Sequence, residues 1–270
     1  MEIKRNEEIV IFAIALTVLL LFSGVASADY LRSDTIPDAG NWVGYKIGVH
    51  PTTHNIYAPS ILSGELRVFD STDYSPIKSI PLSNGQIVSV DFNPSQNLVY
   101  AVGEYDDHYD PTLWVINGNT HVVDRTVQLS SGRTNVWGVA FNPTANKIYV
   151  TTWWGDESIL YIVDADSYGV EHLHGDGCRG VAVNPDTNKV YVAQVGYWGA
   201  DRLVVVDGGS NNILTEIDLP DYSKPAGVAV NTITNKVYVF LQGTNEVAVI
   251  DGGTDTSEKV ISLGAGGAGY

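Results

Sequence analysis

The sequence contains few of the residues that carry sulfur chemistry. Its 270 residues include one cysteine, Cys178, and one methionine, Met1. A single cysteine excludes an intrachain disulfide and a zinc site made only of thiolates. The lack of internal methionine excludes a methionine-rich binding groove. Any function must therefore rest on polar and aromatic side chains.

Basic residues are also scarce. Lys and Arg number 15 against 31 Asp and Glu, which gives a formal net charge of −16. Binding to a phosphate backbone requires a basic face, and anionic membranes attract Lys and Arg. The charge balance therefore predicts that the protein binds neither nucleic acid nor an anionic membrane surface.

Signature motifs of enzymes are missing too. The sequence has no G-x-S-x-G, no H-E-x-x-H and no phosphate-binding glycine loop before a helix. His172, His174, Asp176 and Cys178 alternate as metal ligands on one strand face would, but the intervening glycines indicate a bend. We predict no catalytic residue, no metal and no cofactor.

The first 28 residues resemble an export signal. A charged start leads into an apolar run at 9–22, and Ala26-Ser27-Ala28 fits a cleavage site. The apolar run is short for a membrane span. We predict cleavage after Ala28, an extracellular or cell-surface location and no membrane span in the mature protein, with an uncleaved anchor as the alternative.

A repeated phrase dominates the remaining sequence. Residues 138–150 read GVAFNPTANKIYV, and similar sequences occur at 180–192 and 227–239, with weaker copies at 47–58 and 90–101. Spacings of 43, 49, 42 and 47 residues separate one tyrosine in each copy: Tyr57, Tyr100, Tyr149, Tyr191 and Tyr238. Units of this length are typical of propeller blades.

Each unit reads as four short strands. The small apolar run GVAV suits an innermost strand, NPxTNK a turn, and KVYV a second strand. Later apolar runs, such as 203–206 and 215–219, supply a third and a fourth strand. His50 and His54 flank the corresponding turn of the first unit, where we expect surface positions.

The sequence thus predicts an all-β fold, a β-propeller of four-stranded antiparallel blades. Five repeats span residues 45–263, between an N-terminal lead-in at 29–44 and a glycine-rich tail at 264–270. Two arrangements remain open at this stage, a closed five-blade ring and an incomplete larger ring.

The repeat resembles the YVTN family of β-propeller repeats, which occur in surface-layer and other exported proteins. Tyr149-Val150-Thr151-Thr152 is the best match to the tetrad that names the family, with Thr152 in place of its usual asparagine. The resemblance covers the predicted mature chain. It implies a propeller in an extracytoplasmic setting, and it implies no catalytic residues because the recurring motif is structural.

Unusual loops occur in the second, third and fourth units. In a propeller, the loops between strands two and three and the connections between blades lie on the same rim. Aromatic and acidic residues in and beside these loops form the predicted ligand-binding face: Tyr105, Asp106, Asp107, His108, Tyr109, Trp137, Trp153, Trp154, Asp156, Arg179, Tyr197 and Trp198. Packing of these aromatics between blades is the alternative.

These observations favour a non-enzymatic exported protein that binds a cell-surface glycan or protein through the rim. Self-association through the end blades is a further expectation. A structural component of a surface layer is one alternative function. A lyase or hydrolase that uses rim carboxylates such as Asp107, Asp156 or Asp201 is another.

Overall fold

The computed structural model describes residues 44–105, 110–131, 134–153 and 158–264, and at Tyr197 the backbone alone. All of them belong to one compact unit of the chain, Pro37–Tyr270. The predicted signal peptide lies outside the described residues, as do most of the lead-in and the tail. Within the described ranges, no helix is long and apolar enough to cross a membrane.

Twenty strands form five four-stranded antiparallel sheets. The first sheet contains β1 (Gly48–Val49), β2 (Ile56–Pro59), β3 (Glu65–Phe69) and β4 (Pro76–Pro81), and the second contains β5 (Ile87–Asn93), β6 (Leu98–Glu104), β7 (Pro111–Asn117) and β8 (Val123–Gln128). The third contains β9 (Asn135–Asn142), β10 (Lys147–Trp153), β11 (Ser158–Asp164) and β12 (Val170–Gly175). The fourth contains β13 (Cys178–Asn184), β14 (Lys189–Gln194), β15 (Arg202–Asp207) and β16 (Ile213–Asp218), and the fifth contains β17 (Pro225–Asn231), β18 (Lys236–Leu241), β19 (Glu246–Asp251) and β20 (Thr256–Ser262). The only helical segment in the described ranges is one 3-10 turn, Tyr197–Gly199.

Every sheet has its strands in chain order, so each is a simple meander, as predicted. The turn between the first and second strands carries one residue with positive φ in every sheet: His54, Asn97, Asn146, Asn188 and Asn235. Asparagine is enriched in this left-handed region, which explains its recurrence in the repeat. The sequence prediction of an all-β propeller built from five such units is confirmed.

The sheets pack against their neighbours through buried tyrosines and aliphatic side chains. Tyr57, Tyr100, Tyr149 and Tyr191 are fully buried, whereas Tyr238 of the fifth sheet is half-buried. Contact runs in chain order through the inner strands, from β2 to β5, β5 to β9, β9 to β13 and β13 to β17. Among the described residues, no comparably extended strand contact joins the fifth sheet to the first. The described residues therefore form five consecutive blades.

Side-chain hydrogen bonds at the turn after the innermost strand link the third blade to the fourth and the fourth blade to the fifth. Asn142 Nδ2 donates to Asn188 Oδ1 at 2.8 Å, and Asn184 Nδ2 repeats this contact with Asn235 Oδ1 at 2.8 Å one blade later. Lys189 reaches across the same junction to the Gly252 carbonyl at 2.9 Å. We call these contacts the junction hydrogen bonds. They recur because the same residue types occupy the same repeat positions.

His50 occupies the position of Asn142 in the first blade, and the expectation that it lies on the surface is wrong. Its side chain is fully buried. Its Nδ1 accepts hydrogen bonds from the backbone N–H groups of Thr52 and Thr53 at 3.2 and 3.3 Å. The Asn142 side chain accepts equivalent bonds from the residues that follow it. Histidine therefore replaces asparagine as the acceptor that closes the turn.

Candidate ligand-binding site at the blade rim

A β-bulge interrupts the start of the innermost strand in four of the five blades. The pairing between the first and second strands skips Val88 in the second blade and Trp137 in the third. It skips Arg179 with Gly180 in the fourth blade and Ala226 with Gly227 in the fifth. A bulge removes a residue from the ladder and re-aims its side chain. The fold therefore removes the same repeat position from regular pairing in the second to fifth blades.

Large side chains occupy this position in three blades. It lies five residues before the residue that ends each innermost strand and closes the turn, the position of Asn142 in the third blade. The occupants in chain order are Tyr45, Val88, Trp137, Arg179 and Ala226. The first of them belongs to the segment before β1, where Gly44 N donates to the Pro59 carbonyl at 2.7 Å. Equivalent register brings these side chains to the same end of neighbouring inner strands. Because the second and fifth blades contribute small residues, the larger ones can meet.

Four side chains form a stacked group that we call the rim cluster: Tyr45, Trp137, Trp153 and Arg179. The Tyr45 and Trp137 rings stack with centroids 4.6 Å apart and planes 12° apart. Trp153, at the end of β10, contacts Trp137 edge to face at 6.3 Å. The Arg179 guanidinium carbon lies 4.6 Å from the Trp137 centroid and 5.0 Å from that of Trp153, within cation–π range. Arg179 is buried, but 46% of Tyr45 is exposed, so a ligand can reach the cluster at Tyr45.

Polar groups beside the rim cluster leave part of their hydrogen-bonding capacity without partners in the described ranges. Arg179 Nη1 donates to Gln242 Oε1 at 3.2 Å, which uses one of its donors. Glu104, the last residue of β6, is buried, and its carboxyl receives a hydrogen bond from the Val136 backbone beside Trp137. Glu104 Oε2 has no hydrogen-bond partner in the described part of the chain. The site thus contains a buried carboxyl group that accepts a hydrogen bond from Val136 while its Oε2 has no partner among the described residues.

Burial sets the protonation of these groups. Desolvation raises the pKa of Glu104 to about 7, although the hydrogen bond from Val136 opposes the shift. Burial also raises the pKa of Tyr45, and there Glu104 adds to the shift while Arg179 opposes it. The Tyr45 phenol therefore lies within electrostatic range of both charged groups. Around neutral pH, Glu104 is divided between its acid and its carboxylate.

The loop between β14 and β15 presents the most exposed tryptophan. Trp198 is 93% exposed and has a φ of 60° inside the 3-10 turn. Asp201 holds the loop, since its carboxylate accepts from Gly196 N at 3.2 Å, Ser223 Oγ at 3.2 Å and Lys224 N at 2.7 Å. The Asp201 carboxylate thus holds the loop through three hydrogen bonds, which counts against a role as a catalytic acid at the rim. Trp198 sits on a fixed backbone rather than on a free loop.

The predicted binding residues have different locations. Trp137, Trp153 and Arg179 come together in the rim cluster, Tyr105 is 52% exposed at the end of its loop, and Trp198 projects from another loop. For Tyr197 only the backbone is described. The remaining predicted residues lie outside the described ranges and their assignment stays a prediction: Asp106, Asp107, His108, Tyr109, Trp154 and Asp156.

Two contributors to the site were missed by sequence reasoning. Tyr45 stands in a weak repeat, yet counting back five residues from His50 would have placed it beside Trp137. Glu104 belonged to the acidic loop sequence, but nothing in that pattern distinguished a buried carboxyl from the exposed ones. Its burial depends on packing against β9 of the next blade, which a single repeat does not reveal.

The alternating histidines do not form a metal site with the cysteine. The rings of His172 and His174 contact each other at 4.9 Å, edge to face. Cys178 is buried, burial raises the pKa of its thiol to about 12, and Gln194 Nε2 contacts its sulfur at 3.4 Å. In the described ranges, no three His, Cys, Asp or Glu side chains converge as metal ligands would.

Comparison with known proteins defines the class of this protein, a β-propeller. The structure is similar to that of hydrazine synthase from Kuenenia stuttgartiensis, with a TM-score of 0.68 and 14% sequence identity over 80% of this chain and 73% of that chain. At this identity the similarity concerns the fold alone. No model of a protein family matches the sequence, and no curated protein matches it.

Proposed function

We propose that this propeller is an exported protein of the YVTN-repeat type that binds a cell-surface glycan through the rim of its second, third and fourth blades. The export signal and the repeat resemblance in the sequence support the location. The rim aromatics support the ligand class, because the apolar faces of sugars pack on exposed aromatic rings and their hydroxyl groups need polar neighbours.

One observation carries the proposal, the exposure of Trp198 on a held backbone. A tryptophan with 93% of its surface in water gives up apolar burial that a folded chain normally obtains. Its positive φ is also unfavourable for a residue with a side chain, at a cost of about 1 kcal/mol. Both costs are accounted for if the ring serves an external partner.

The surroundings of Trp198 fit a rigid platform. The loop from Gly196 to Asp201 is closed by a hydrogen bond from Asp201 N to the Gly199 carbonyl at 2.8 Å. Tyr222, 66% exposed, donates its backbone N–H to the same carbonyl at 3.2 Å. The two aromatic residues are thus attached to one backbone point. A backbone held in this way lowers the entropy lost when a ligand orders the loop.

Replacement of Trp198 tests the proposal. We expect Trp198→Ala to abolish retention on arrays of cell-surface glycans and to change the free energy of unfolding by less than about 0.5 kcal/mol, because the ring is in solvent. Trp198→Phe, which keeps an aromatic face, should retain part of the binding. Leu62→Ala is the matched control, since Leu62 is 63% exposed and lies on a different blade. Equal retention of Trp198→Ala and wild type would refute the proposal.

A further inference from the structure

The fifth blade exposes a sheet face that the other blades keep covered. In the first four blades, one face of the sheet packs on the blade that follows in the chain. Ile217 and Leu219 lie on this face of the fourth blade and are 7 and 6% exposed. The equivalent residues of the fifth blade, by strand register, are Ile261 and Leu263, and these are 40 and 49% exposed. The difference arises because no blade follows the fifth one in the described ranges.

Neighbouring strands of the fifth blade show the same difference. Tyr191 of β14 is fully buried under the fifth blade, whereas the equivalent Tyr238 of β18 is half-buried. Phe240 and Val247 are also half-buried. These two residues and Ile261 stand opposite one another across three strands, so the accessible apolar side chains are continuous. We call this surface the end face: Tyr238, Phe240, Val247, Ile261 and Leu263.

The polar residues at the turn end of the fifth blade also act without a following blade. Asn142 and Asn184 donate to the asparagine of the next blade. Asn231 stands at the same repeat position, and among the described residues it only accepts the hydrogen bond that closes its own turn. Lys236 contacts Asp251 of its own sheet. The end face therefore combines an apolar surface with the polar residues of a blade junction.

The other end of the blade array has a different surface. The first blade carries Arg67 at the position where the fifth blade has Ala248. Ile56 and Phe69, on the same face as Arg67, are 8 and 1% exposed, although Val49 of β1 is 49% exposed. The first blade is therefore more polar and more covered than the end face. A continuous apolar surface of this kind marks an interaction site, because its contact with water is unfavourable.

We propose that two copies of this chain associate through their end faces, fifth blade against fifth blade, about a two-fold axis. The end face is the surface with which the other blades pack on a neighbouring sheet, and two apolar sheet faces pack together as a sandwich. A contact of one patch with its own copy closes at two chains, and two-fold dimers are the commonest oligomers. Contact of the end face with the first blade of another copy would instead bring Arg67 onto apolar side chains and would continue into larger assemblies. The inference is independent of the ligand of the rim.

Sedimentation equilibrium of the full chain tests this association. At about 1–100 µM, a range in which protein interfaces of modest affinity form, we expect a dimer whose mass stops growing at two chains. Ile261→Glu and Leu263→Glu should each raise the dissociation constant about tenfold or more, because the interface would bury an unpaired carboxylate. Both residues are already exposed in one chain, so the fold should be kept, and circular dichroism verifies it. Ile77→Glu is the matched control, since Ile77 is 43% exposed on β4 of the first blade, and it should remain dimeric.

Each other outcome overturns the proposal. A monomeric wild type would show that the end face has no second copy; a lower unfolding midpoint of Ile261→Glu would then indicate that the chain covers this face itself. A mass that keeps growing with concentration would indicate head-to-tail contact and exclude the two-fold arrangement. Association that survives both glutamate variants would come from another surface, such as the apolar run at 9–22.

Discussion

The two ends of the innermost strands differ in how completely their polar groups are paired. At the turn end, Asn142 and Asn184 close their own turns and reach the next blade through short hydrogen bonds. At the rim end, bulges disturb the ladder, and buried atoms of Trp137 and Arg179 remain without partners in the described ranges. In the third and fourth blades, the innermost strands thus have a paired asparagine at the turn end and unpaired side-chain atoms at the rim end, whereas His50 Nε2 at the turn end of the first blade also has no partner in the described ranges.

This difference separates stability from recognition. The turn end repeats asparagine in four of the five blades, at Asn93, Asn142, Asn184 and Asn231, with His50 in the first. The rim end changes from blade to blade, from Tyr45 to Val88 to Trp137. Loops and bulges on a rigid scaffold are where binding residues occur in many folds. Changes at the turn end should therefore affect folding, and changes at the rim should affect binding.

The largest effect is expected when the turn end is broken. Asn142→Ala removes two bonds that close the turn and the bond to Asn188. We expect a loss of about 3 kcal/mol in the free energy of unfolding, at about 1 kcal/mol for each of the three hydrogen bonds. Chemical denaturation measures this loss. A loss under about 1 kcal/mol would show that the turn end does not carry the stability assigned to it.

The second effect is the pH dependence of stability that Glu104 causes at the rim end. The folded protein holds the proton on Glu104 up to about pH 7, whereas the unfolded chain releases it near the ordinary value of 4.5. The contribution of Glu104 to stability is therefore fully present below pH 4.5, falls as the pH rises to about 7, and stays at the lower level above that. We expect Glu104→Gln to remove this fall and to be more stable than wild type at pH 8 by about 2–3 kcal/mol.

Urea denaturation of both proteins between pH 4 and 8 provides the measurement. Glu246→Gln is the control for loss of one carboxylate, because Glu246 lies half-buried at the start of β19. Parallel pH profiles for wild type and Glu104→Gln would contradict the assignment of a buried, half-paired carboxyl at the rim.

The smallest effect compares two equivalent lysines at the turn end. Lys189 contacts Asp255 at 2.7 Å and the Gly252 carbonyl of the next blade, whereas Lys236 of the fifth blade contacts Asp251 and Glu258 within its own sheet. We expect Lys189→Met to cost about 1–2 kcal/mol, because the partly buried ion pair and the bond to Gly252 are both lost. Lys236→Met should leave the thermal midpoint nearly unchanged, and equal midpoint shifts for the two variants would contradict the role of the junction.

Much of the fold could be predicted because each repeat unit contains the strand and turn signals that determine its local structure. The run at 203–206 falls within β15 and that at 215–219 ends one residue beyond β16, and the asparagine turns adopt the left-handed geometry that their composition favours. Each of these features depends on residues close together in the chain. A repeat also shows the same local solution several times, which strengthens the prediction.

The site was harder to predict because it depends on contacts between blades. The sequence singled out Trp137, Trp153 and Arg179, but their stacking on Tyr45 requires two bulges and a small residue at Val88. Bulges are not marked by any motif in this repeat. The burial of Glu104, likewise, follows from packing against a neighbouring sheet that no single unit specifies.

The bulge position has a consequence for how this scaffold could change its specificity. Read in chain order, the five positions spell Tyr, Val, Trp, Arg and Ala, and four of them are skipped by the regular strand pairing. A substitution at one of these four positions removes no residue from the regular strand pairing. The blades therefore provide a constant backbone, and the side chains at these five positions can change specificity while that backbone stays the same.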